Sequence, residues 1–116
     1  MNKPTTPESS PLLLRQGDVL LSRVEDVPDN LTAVTRSKRG VVLAEGEVTG
    51  HAHRIASRHA KLYRDESDAR YLRVMGPAPV ALAHEEHSTV KIPPGNYRVS
   101  IHAEYVPGEL PRRVED

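Results

Sequence analysis

The sequence predicts an all-β domain, a compact barrel or sandwich of about eight or nine short strands. Three observations carry this expectation. Short Val-, Leu- and Ile-containing runs recur along the chain, turn residues separate them at close intervals, and no stretch sustains an apolar period near 3.6 residues. A chain of 116 residues suits one domain with a modest core. With no Trp or Phe and only four tyrosines, that core is expected to be Val, Leu and Ile, with the tyrosines at its margins.

Residues 1–11 are rich in Pro, Thr and Ser and read as a flexible arm. The single β domain is expected over residues 12–105. It opens with "LLLRQGDVLLSRV", where Gly17-Asp18 makes a turn and a strand follows over residues 19–24. "EDVPDN" is the next turn, broken by Pro28. Further strands are predicted over residues 31–35, 39–44, 51–56, 59–64, 69–75, 79–84, 88–92 and 96–105. "RSKRG", "EGEVTG", "RDESD", "MGPAP" and "IPPGN" supply the turn chemistry between them. "RHAKLYRDESDARYLRV" admits a short helix, but Tyr, Leu and Val near both ends favour a hairpin. On the last strand Tyr97, Val99, Ile101, Ala103 and Tyr105 share the expected core face, with Arg98, Ser100, His102 and Glu104 on the opposite, solvated one. Residues 106–116, with two prolines and a charged end, form a tail.

Charge and motifs remove several function classes. Sixteen basic and sixteen acidic residues cancel, so no bulk field draws the chain to nucleic acid or to an anionic membrane. The cations of "RSKRG", with Arg112 and Arg113 near the end, are read as solvated rather than as a phosphate grip. The absence of cysteine excludes disulfides, thiolate zinc sites and a cysteine nucleophile. No apolar run approaches the roughly 20 residues that cross a bilayer, and "MNKPTTPESSP" lacks the apolar centre of a secretory signal, which points to the cytoplasm. The phosphate-cradling, dinucleotide and nucleophile-elbow motifs are missing.

Chemistry concentrates in two stretches, "EGEVTGHAHRI" and "AHEEH", which hold four of the six histidines. On a strand, His51, His53 and Ile55 share one face, and the two imidazoles stand about 6.5–7 Å apart along it, close enough to converge on one ion. Val80, Leu82 and His84 share the parity that the apolar pair marks as inward, whereas His87 has the other parity. His87 meets His84 only if the chain turns at Glu85-Glu86. His51, His53 and His84 then offer three nitrogens and an open position, which suits a catalytic zinc or iron ion. His87 is a candidate fourth ligand or proton carrier, and Glu85 or Glu86 the base that orients water. Histidines beside Glu and Gly also commonly do no more than cap strand ends. His59 and His102 are read as solitary.

"LAEGEVTGHAHRI", "LYRDESDARYLRV" and "HEEHSTVKIPPGNYRVSIHAEYVP" resemble a group of small uncharacterised bacterial β-domain proteins, over about residues 15–116. The resemblance implies that the GHAH and HEEH blocks are functional units and implies no particular activity.

The sequence therefore supports a small histidine-cluster enzyme, dependent on a divalent metal such as zinc or iron and hydrolytic. A metal-free nuclease dividing acid and base work between His and Glu is a second possibility, with Glu45, Glu47, Glu85, Glu86 and Glu104 as the nearby acids. A third is a non-catalytic module of a larger protein or protein–RNA assembly, reaching a protein partner through the N-terminal arm or C-terminal tail.

Overall fold

The apolar runs fall into ten strands in the computed structural model, which describes residues 12–46 and 48–102. These are β1 (Leu13–Gln16), β2 (Val19–Val24), β3 (Thr32–Ala33), β4 (Val41–Glu45), β5 (Ala52–Ile55), β6 (Ala60–Arg64), β7 (Arg70–Val74), β8 (Val80–Ala83), β9 (Val90–Ile92) and β10 (Gly95–Ile101). One antiparallel sheet runs β1-β2-β10-β7-β6-β3 and the other β4-β5-β8-β9. The sheets pack face to face without closing, so the architecture is the sandwich rather than the barrel. The expected arm and tail, and with them Glu47, Ala103, Glu104, Tyr105, Arg112 and Arg113, lie outside the described residues. Among the described residues, no helix is long and apolar enough to cross a membrane.

Period-two burial builds the core. Val19 and Leu21 of β2, Leu62 of β6, Leu72 and Val74 of β7, and Val99 of β10 face Val41, Leu43, Ile55, Val80, Leu82 and Ile92 of the second sheet. The stretch that admits a short helix is the β6–β7 hairpin, as Tyr, Leu and Val at its ends require. Its turn closes on Asp65, whose carboxylate accepts the Ser67 and Ala69 N–H groups at 2.9 Å each.

Three expectations are corrected. A tenth strand, β1, precedes the Gly17-Asp18 turn; Gly17 takes φ +57°, which lets Gln16 pair with Val19 across a two-residue hairpin loop. Tyr97, on the core face as expected, is fully buried rather than marginal, and its hydroxyl finds partners: it donates to Pro93 O at 2.6 Å and accepts from Arg23 at 3.3 Å. Ile101, placed on the core face, is 40% exposed and lines an open cleft of about 500 Å³ together with Leu43, Glu45 and Arg70.

Candidate functional site

The two histidine stretches run antiparallel to each other. β5 pairs with β8 through Arg54↔Ala83 and Ile55↔Leu82. Continued beyond β8, that register sets His53 opposite His84, Ala52 opposite Glu85 and His51 opposite Glu86. The side chains follow it. The His53 and His84 rings lie 4.2 Å apart, the Ala52 N–H donates to Glu85 Oε1 at 3.0 Å, and His51 Nδ1 is 3.5 Å from Glu86 Oε2.

His53 shares its face with Ile55 and is fully buried; His84 continues the Val80–Leu82 face and is 8% exposed. The chain then bends at residues 85–87, which returns the half-buried His87 ring to 4.6 Å from His84 and 5.7 Å from His53. His87 packs over Gly17, where a Cβ would come within 2.5 Å of His87 Nε2. His51 stands just before β5, with its backbone N–H on Thr49 Oγ1, and its ring meets His84 edge-on at 5.7 Å. The other three histidines of the two stretches, His51, His53 and His87, thus gather around His84. His59 lies elsewhere, with its ring against Gly76, and His102 follows β10.

Two groups of ligand atoms result, each with all its members within 4.8 Å of one another: His53, His84 and His87, and His51, His84 and Glu85. Nitrogens around an ion with bonds of about 2.0–2.1 Å stand roughly 3.4 Å apart, so the rings must draw together to hold one.

Glu85 is already committed. Its Oε2 takes Arg39 at 2.9 Å and Arg54 at 3.2 Å, while Arg39 also reaches Glu45 and the Gly50 carbonyl. The Ala52 N–H, with Glu85's own N–H and the Arg54 and His51 side chains, holds its carboxyl at about 2 against an ordinary 4.5, despite some desolvation. A carboxylate with a depressed pKa stabilises the fold above its unfolded value and loses that contribution as pH falls through the folded one. The stability difference between the native protein and Glu85→Gln, read from urea unfolding, is therefore expected to hold constant above about pH 5 and to shrink between 4.5 and 2. A difference that does not change over that window would show the carboxylate to be unpaired.

Sequence reasoning missed Gln16. It is 3% exposed, and its side-chain nitrogen donates to Leu82 O at 2.8 Å and Ser88 O at 2.9 Å, while its Oε1 is 2.8 Å from His53 Nδ1. The clue was a polar residue continuing the period-two series Leu12, Leu14. Arg36 and Arg39 of "RSKRG" are structural: Arg36 binds the carbonyls of Ala56, Ser57 and Ala60.

A family model described as a domain of unknown function (DUF8820) matches residues 15–102, a span that includes Gln16 and both histidine stretches. The chain belongs to this family. No curated protein and no solved structure matches it.

Proposed function

We propose that this member of the DUF8820 family holds one divalent transition-metal ion, zinc or iron, through His53, His84 and His87, and serves as a small hydrolase. The observation that carries this is the convergence of three imidazoles, two of them buried, with ligand atoms within 4.8 Å. Three nitrogen ligands with a position left over is the donor set of catalytic rather than closed structural sites. When bound, the ion supplies Lewis acidity and a water nucleophile at neutral pH. His51 and Glu86, 3.5 Å apart at the more exposed edge of the cluster, would be the groups that accept and pass on a proton there. Glu85, neutralised by two arginines, fixes the turn that carries His84 and His87.

Metal binding has a structural consequence that can be read directly. His84 Nδ1 accepts the Glu86 N–H at 3.0 Å, which spends the lone pair of a neutral imidazole. Ligation through Nδ1 displaces that bond, and ligation through Nε2 puts the proton on Nδ1, facing another donor. In either case Glu86 N–H loses its acceptor. Zinc added to tag-free, ¹⁵N-labelled protein is expected to shift the Glu86 amide and the His53, His84 and His87 rings together, complete at one equivalent. Rings and amide that stay unmoved at several equivalents would refute the metal centre. Hydrolysis of simple ester and phosphodiester probes, lost on chelation and regained with the ion, tests the catalytic part. The same activity surviving chelation would favour metal-free chemistry by His51 and Glu86.

A further inference from the structure

We infer that Gln16 is the positioning residue of the histidine cluster: its amide, oriented by two backbone carbonyls, holds His53 as the Nδ1–H tautomer and so puts the lone pair of His53 on Nε2. The steps are matters of donor and acceptor count. An amide nitrogen has two hydrogens, and both are used, on Leu82 O and Ser88 O. The flipped amide would set its oxygen against those same two carbonyl oxygens, at 2.8 and 2.9 Å, so the orientation is fixed. Oε1 therefore faces His53 Nδ1 at 2.8 Å, and an acceptor there requires a donor, Nδ1–H. In the neutral ring the other nitrogen then carries the lone pair.

Glutamine is the side chain that fits. Glutamate has no hydrogens for the two carbonyls, and asparagine is one methylene short. The next residue serves the same cluster, because the bare Cα of Gly17 leaves room for the His87 ring. One hairpin turn of the first sheet thus reaches two histidines borne by the second. Metal-ligating histidines are held in this way by a partner on the non-ligating nitrogen, and losing that partner typically costs 10–100-fold in affinity.

The effect on metal rests on the function proposed above, whereas the tautomer does not, and the two are measured separately. Long-range ¹H–¹⁵N correlation on the full-length, metal-free protein is expected to show His53 protonated at Nδ1. In Gln16→Leu, of similar size, the ring is expected to move toward the Nε2–H form and zinc affinity to fall about 10–100-fold, with the circular dichroism of the fold retained. His53 found as Nε2–H in the unaltered protein overturns the inference whatever zinc does, and that measurement needs no variant to fold. An unchanged tautomer and unchanged zinc affinity in folded Gln16→Leu overturns it too. Nδ1–H in a protein that takes up no zinc supports the role of Gln16 while removing the metal centre.

Discussion

Alanine at His84 and alanine at His87 are each expected to lower zinc affinity by more than about 100-fold, since even partners outside the ligand shell cost 10–100-fold. The double substitution is expected to cost little more than either single one. Ligands of one ion act as a unit: once one is lost, the remaining set no longer gains the full benefit of the other. His87 is only half-buried and lies outside the apolar core cluster, so His87→Ala is expected to leave that core intact. His59→Ala, on the exposed side of the β6 turn, is the control and is expected to change neither affinity nor, beyond about 0.5 kcal/mol, stability. Small, independent and additive losses at His84 and His87 would mean that the rings are neighbours without a common ligand.

Gly40→Ala is expected to destabilise the fold by about 3 kcal/mol or more, combining left-handed backbone strain with overpacking. Gly40 has φ +96°, and an added Cβ would lie 2.4 Å from the Ile55 carbonyl oxygen and 3.1 Å from Ala56 Cα. These are backbone atoms of the chain leaving β5, so no side chain can rotate away. The clash can be relieved only by moving β4 from β5, and β5 carries His53. Urea unfolding measures the loss, and zinc affinity should fall with it. A change below about 0.5 kcal/mol, the range of ordinary surface substitutions, would show that the β4–β5 junction is pliable.

The parts of this structure legible in the sequence are those governed by period two and by turn chemistry. Val80, Leu82 and His84 lie on one face as their spacing requires, and "RDESD" turns a hairpin as its Asp and Ser residues favour. The turn at Glu85-Glu86 was required for His84 to meet His87, and the chain bends there. What spacing does not encode is which strands become neighbours. The pairing of β5 with β8 puts His53 against His84 and His51 against Glu86, although some thirty residues separate them. Gln16 was harder still. It lies nearly forty residues before His53, and its role depends on carbonyl groups of β8 and of the residue after the HEEH turn. Tyr97 was legible as a core-face residue from the parity of β10, whereas the Arg23 contact with its hydroxyl, more than seventy residues away along the chain, was not.

The most direct test of the metal centre is equilibrium dialysis of untagged protein against zinc at neutral pH, followed by metal analysis. One ion per chain is expected, falling to none in His53→Ala combined with His84→Ala, and falling in the native protein as pH drops through the range where imidazoles protonate, near 6.5 in model peptides. Native protein that retains no zinc, or that retains as much as the double variant, would contradict a metal site built on His53, His84 and His87.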